Sequence, residues 1–250
     1  MKLKSFLYIT SAFVITLMGC AKDNYDPPGS VLKGRVVFNG QPVQVRTPTV
    51  SANGNTTTGG VQLELWQYGY QLFTKIPVYI NQDGTFSASL FDGNYKLVRL
   101  GGAPWENNTD SIDIQLNGTK EIDVPVNPYF TVSDASYTFN KADSSITGTF
   151  TVNNVVAGRT LELASISVSP TQFVDVVNQV ANEDKAVAVG SQVSIKVSIR
   201  PANYPGNPNK QKRELLGQLL HKQYAFVRIG AKTQGVVERN YSTVHKIELK

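Results

Sequence analysis

Aromatic side chains at three places in this sequence could do binding chemistry. Trp66, Tyr68 and Tyr70 stand two residues apart in LWQYGYQ, Trp105 lies in GGAPWENN, and Tyr204 lies between Pro201 and Pro205. A flat ring can stack on the apolar C–H face of a sugar while nearby amides and hydroxyls bind its hydroxyl groups. On a strand, the two-residue spacing puts Trp66, Tyr68 and Tyr70 on one face and Leu63 and Leu65 on the other. That face is either a sugar platform or inter-sheet packing. Trp105 fits contact with a ligand or partner as well as it fits loop packing. Catalytic groups are sparse. His221 is placed at the start of a strand and His245 in register with Ile247 and Leu249, and they are not spaced as a metal pair. There is no G-x-S-x-G elbow. The acids fall at turns (Asp83, Asp92) or on outward strand positions (Asp113, Asp123), where they read as turn formers and solvated faces rather than a glycosidase pair. Asn81-x-Asp83-Gly84 starts like a calcium loop, but Leu90 stands where its glutamate is required. KQKR at 210–213 reads as a solvated loop cluster. The expectation is a protein that is not an enzyme and holds no metal or cofactor.

The one cysteine, Cys20, sits in LMGCAKDNYDPP. A single cysteine excludes an internal disulfide framework and a cysteine-rich zinc site. Lys2 and Lys4 precede an uncharged run over 5–19, too short for a membrane span of about 20 residues and suited to a signal peptide. The run ends in Leu17-Met18-Gly19-Cys20, which resembles the bacterial lipobox. That resemblance implies lipidation of Cys20 and cleavage before it, with the membrane as partner through the lipid. Ala21-Lys22-Asp23 resembles a surface-export signal and implies the outer face of the outer membrane. Residues 24–30 read as an extended tether. Residues 20–250 carry 22 basic and 19 acidic side chains. That balance is too weak and too dispersed for a nucleic-acid partner.

Period-two alternation dominates the remainder and implies an all-β chain. Leu32, Val36 and Phe38, then Phe86, Ala88 and Leu90, then Ile112, Ile114 and Leu116, then Ile122, Val124 and Val126 each mark a half-buried strand. Asn39-Gly40, Asp83-Gly84, Asp92-Gly93 and Asn117-Gly118 mark turns, and Asn117-Gly118 reads as a hairpin. About seven strands precede residue 127, the number a small sandwich uses. The second half repeats the pattern at 146–152, 193–199, 224–232 and 243–249. Residues 170–188 read as a long connection with a helical turn at 173–180, and 201–220 as a loop followed by a short helix through Leu215, Leu216 and Leu219. The expected architecture is two tandem β-sandwiches over 31–126 and 127–250, after a signal peptide over 1–19 and a lipidated tether over 20–30.

GSVLKGRVVFNGQPVQ, NQDGTFSASLFDGNYKLVRLGGAPW, PYF, YAFVRIGAKTQG and RNYSTVHKI occur here in that order. Together they resemble a family of two-domain Bacteroidota lipoproteins of unknown function. The likeness covers nearly all of 20–250, and its more specific pieces are 81–86 and 227–231. It implies a carboxypeptidase-regulatory or transthyretin-like first sandwich and an immunoglobulin- or fibronectin-like second one. It also implies a place beside SusC/SusD-type outer-membrane pairs in polysaccharide-utilisation loci. Two functions are compatible with these features: an accessory glycan-binding lipoprotein of such an uptake system, or a structural subunit that docks to it without binding glycan.

Overall fold

The computed structural model describes residues 26–49, 59–69, 71 and 74–250. The expected signal peptide, Cys20 and Tyr70 lie outside the described residues.

The first domain holds β1 (Ser30–Phe38), β2 (Gln41–Pro42), β3 (Gln62–Gln67), β4 (Lys75–Tyr79), β5 (Thr85–Leu90), β6 (Gly93–Arg99), β7 (Asn108–Leu116) and β8 (Thr119–Pro125). One sheet has β1 at its centre, with β8 on one edge and β2 and β5 on the other. The other runs β4-β3-β6-β7. The alternating apolar residues of both sheets close on one core, with Leu32, Val36, Leu63, Leu65, Phe86, Tyr95, Leu97, Ile114 and Val124 buried.

Asn39-Gly40 makes the tight β1–β2 turn with both residues at positive φ, 50° and 74°, as a primed turn requires. Asn117-Gly118 does not close a hairpin. Gly118 has the expected positive φ of 74°, but β7 pairs with β6, and β8 crosses to the opposite sheet to lie parallel to β1. The turn is claimed from outside: the Gly118 N–H donates to Ser30 Oγ at 2.7 Å and to Asp92 Oδ1 at 3.3 Å. Ser30 Oγ in turn donates to Asp92. The dipeptide specifies the local bend, and the choice of sheet is made by β1.

The second domain holds β9 (Phe130–Asn140), β10 (Ser145–Asn154), β11 (Leu161–Ser169), β12 (Ala181–Lys185), β13 (Gln192–Ser198), α1 (Lys210–Lys222), β14 (Tyr224–Thr233), β15 (Arg239–Tyr241) and β16 (His245–Glu248). Sheet β13-β10-β9 faces sheet β12-β11-β14, whose β14 also carries β15 and β16. A second, separate core lies between them. Leu216 and Leu219 of α1 are buried against it.

Three local expectations are corrected. The helix begins at Lys210, so KQKR forms its first turn, and His221 lies in its last turn rather than opening a strand. Residues 173–180 form no helix, and Asp175 Oδ1 accepts the Val177 and Asn178 N–H groups at 2.9 Å. In a helix the Asn178 N–H would reach the Val174 carbonyl; here that carbonyl accepts from Arg228 at 3.4 Å instead. His245 is exposed although Ile247 and Leu249 are buried. It sits at the end of β16, beyond the edge of the core, stacked on Tyr137 with ring centroids 5.3 Å apart.

Candidate functional site

Along β3 the alternation separates two faces. Val61, Leu63 and Leu65 are buried in the core. Trp66 points outward, half-buried, and Tyr68 follows on the same side, 44% exposed. Cross-strand register builds rows around them. Lys75, Trp66, Lys96 and Asp113 form one row from β4 to β7. Asn94 and Gln115 form the next, joined to Tyr68 by the Tyr68 N–H donating to the Asn94 carbonyl at 3.0 Å. Lys96 donates to Asp113 at 2.7 Å, and its ammonium lies 5.8 Å from the Tyr68 ring centroid. The Asp113 contact, followed by Tyr68, raises the Lys96 pKa, so this ammonium is charged at neutral pH. Lys75 donates to Glu64 at 2.6 Å in the row below. A shallow depression of about 490 Å³ is lined by Tyr68, Asn94, Lys96, Asp113 and Gln115 among others. Aromatic rings on a flat sheet face, ringed by amides and paired charges, can stack a sugar ring and bond its hydroxyls.

The other aromatics are not brought to this face. Trp105 is 0% exposed and is part of the first core. Its segment bridges to Pro128, the Glu106 N–H donates to Asn127 O at 2.9 Å, and the Tyr129 N–H donates to Pro104 O at 3.1 Å. Of the two readings open for Trp105, the burial fits packing and not contact with a ligand: it lies beneath the chain that links the domains. Tyr204 belongs to the second domain and is half-buried, with its hydroxyl donating to Ser198 O at 2.8 Å and the Lys212 ammonium 3.8 Å from its ring centroid. Its ring serves helix packing. Among the described residues no three of His, Cys, Asp and Glu gather as a metal cluster.

A buried polar joint between the domains escaped the sequence reading. Arg228, 0% exposed, stands in the middle of β14. It donates to Ser242 O at 2.7 Å, Val45 O at 2.9 Å, Gln82 O at 3.1 Å and Val174 O at 3.4 Å. Its guanidinium lies 4.4 Å from the Tyr241 ring centroid. Burial pulls the Arg228 pKa down to about 10, leaving it cationic at neutral pH. Around it, Gln44 bridges to Tyr241, Arg46 pairs with Glu238 at 2.6 Å, and Asp175, also 0% exposed, accepts the Thr47 N–H at 3.0 Å. A signal for this joint was present: Arg228 interrupts the apolar run AFVRIGA, and Gln82 and Arg228 fall in the two most specific segments of the family resemblance.

The fold and these two features define a two-domain β-sandwich protein with an aromatic sheet face and a locked interdomain joint. The chain belongs to the DUF3823 family. Residues 30–127 match the N-terminal domain of that protein family of unknown function, and residues 130–246 match its C-terminal domain. A DUF3823 family protein from Bacteroides ovatus is 33% identical, with a TM-score of 0.71 over 88% of this chain and 100% of that one. One from Parabacteroides merdae is 31% identical, with a TM-score of 0.73 over 89% and 100%. A candidate carbohydrate binding protein from Bacteroides uniformis shares the fold at 16% identity, with a TM-score of 0.65 over 89% and 100%. No curated protein matches the chain.

Proposed function

We propose that the protein binds glycan chains without catalysis, as an outer-membrane lipoprotein anchored through Cys20 and facing the cell exterior, accessory to a SusC/SusD-type uptake system. The observation that carries the binding reading is the outward pair Trp66 and Tyr68, set among Asn94, Lys96 and Asp113 on one sheet face. The carbohydrate class ascribed to the Bacteroides uniformis protein of the same fold agrees with it. The Leu17–Cys20 pattern supports the anchor. Calorimetry against polysaccharides is the test. Trp66→Ala with Tyr68→Ala weakens binding about tenfold or more, since central aromatic contacts are each worth above about 1 kcal/mol. Unchanged affinity sinks the platform. Radiolabelled palmitate enters the wild-type chain and not Cys20→Ser; equal labelling removes the anchor.

The locked joint favours a second reading, in which the two domains form a fixed spacer docked to the uptake complex. Co-purification with that complex, undiminished in the Trp66→Ala/Tyr68→Ala variant and with no glycan bound by wild type, selects this reading.

A further inference from the structure

On one side of the joint a cleft of about 520 Å³ opens between the domains, a volume in the range of small-ligand sites. Thr47, Asn81 and Asp83 of the first domain line one side, and Phe173, Phe226 and Lys246 of the second line the other. Phe173 is 49% exposed. It is not a loose loop residue, because both its neighbours are tied to the opposite domain. Gln82 Nε2 donates to Gln172 O at 2.9 Å, and the Val174 N–H donates to Gln82 Oε1 at 3.0 Å. Asp175, one residue further on, holds Thr47. The Gln82 carboxamide is thus committed at both ends, and the ring between its two contacts is held open to the cleft.

The remaining groups define what the cleft accepts. Asp83 Oδ1 accepts from the Thr85 N–H at 3.0 Å and from Thr85 Oγ1 at 2.7 Å, which leaves its second oxygen to the rim. Asn81 adds a side-chain carbonyl. Lys246 lies opposite Phe226 in the β14–β16 ladder, with its ammonium 4.4 Å from the Tyr224 ring and 3.8 Å from Glu248. The lining therefore carries one carboxylate and one ammonium, whose charges balance. The walls favour neither an anion nor a cation. An apolar ring on one wall and oxygen acceptors on the other suit a ligand with C–H faces and many hydroxyls.

We infer that this interdomain cleft is a second glycan site, specific for neutral sugar units, with Phe173 as its stacking ring and Asn81 and Asp83 as hydroxyl acceptors. It extends the glycan-binding reading but is independent of the Trp66–Tyr68 face. The full chain in detergent is titrated calorimetrically with neutral hexaoses (malto-, cello-, xylo- and manno-) in wild type, Phe173→Ala, Phe173→Trp and Trp66→Ala/Tyr68→Ala. Phe173 is exposed, so its substitution leaves the cores intact. The expected result is binding in the Trp66→Ala/Tyr68→Ala variant with one site remaining. Phe173→Ala weakens that site about fivefold or more, and Phe173→Trp retains it. A wild-type response of Phe173→Ala, or loss of all binding in Trp66→Ala/Tyr68→Ala, overturns the cleft while leaving the platform standing. Unaltered binding in Trp66→Ala/Tyr68→Ala together with loss in Phe173→Ala removes the platform and keeps the cleft. No hexaose bound by wild type overturns both.

Discussion

Arg228 satisfies four carbonyl oxygens from separate segments: Val45 and Gln82 in the first domain, Val174 and Ser242 in the second. A guanidinium suits this task because its N–H donors are fixed in a plane, whereas an ammonium offers three donors from one point. A buried acceptor left without a partner costs about 1–3 kcal/mol. Arg228→Ala orphans several at once and opens a void, so it destabilises the protein by about 3 kcal/mol or more. Urea unfolding checks this, and Arg228→Lys does not restore the loss. At this scale the sequence was partly legible. Alternation put Trp66 and Tyr68 on one face and Leu63 and Leu65 on the other, but it did not tell which of the two faces is outward. The place of Trp105 was not legible, because Gly and Pro around a tryptophan describe the bends of its loop and not the linker that folds over it. Arg228 is a single charge within an apolar strand, and its partners lie up to 184 residues away.

Alternation within a strand records which side is buried, and so β1, β5, β7 and β8 of the first domain and β10, β13, β14 and β16 of the second could be read directly, while β9, β11, β12 and β15 could not. It does not record which neighbour a strand takes, and β8 is the case in point. Its parallel seat beside β1 depends on Gly34, where an added Cβ would stand 1.8 Å from the Ile122 carbonyl oxygen. Backbone cannot yield as a flexible side chain can. Gly34→Ala therefore pushes β8 away along the ladder from Val31 to Val37 and costs about 1–3 kcal/mol, as overpacking does. Thermal unfolding of the variant measures it, and an unchanged midpoint would contradict the close approach. The helix offers the opposite sign. α1 ends at Gln223, at φ 61°, with its N–H on Leu220 O. The left-handed position is the one glycine occupies without strain. Gln223→Gly is expected to stabilise by a few tenths to about 1 kcal/mol, and a loss of stability would show that the glutamine side chain contributes more than its backbone strain costs. Polar helix ends of this kind are poorly marked in sequence, which is why the start at Lys210 was missed while the Leu216 and Leu219 face was not.

For the whole molecule, the joint determines whether two cores behave as one body, and of two buried tyrosines of the second domain one, Tyr241, reports on it. Burial raises the Tyr137 phenol to about 12, beside Ser242 Oγ at 3.2 Å, and raises Tyr241 to about 12 as well, beneath Arg228. An unfolded tyrosine titrates near about 10. The folded protein therefore keeps two protons that the unfolded chain releases, and stability present below about pH 10 is lost as pH rises through about 12. Arg228, lowered to about 10 by burial, opposes this by at most one proton. The net expectation is a falling urea midpoint above about pH 10, with two phenols of the native protein titrating after the accessible ones in ultraviolet absorbance. Tyr137 is buried by its own domain, beside Ser242 and Ile229, whereas Tyr241 sits in the joint, bridged to Gln44 of the first domain, so opening the joint removes the delay of Tyr241 alone. In Arg228→Ala, Tyr241 titrates with the accessible tyrosines before either core unfolds while Tyr137 stays late, and one cooperative unfolding transition divides into two. If Tyr241 stays late in that variant, the second domain buries both tyrosines unaided. The interdomain cleft would then lie between independent bodies and not within one.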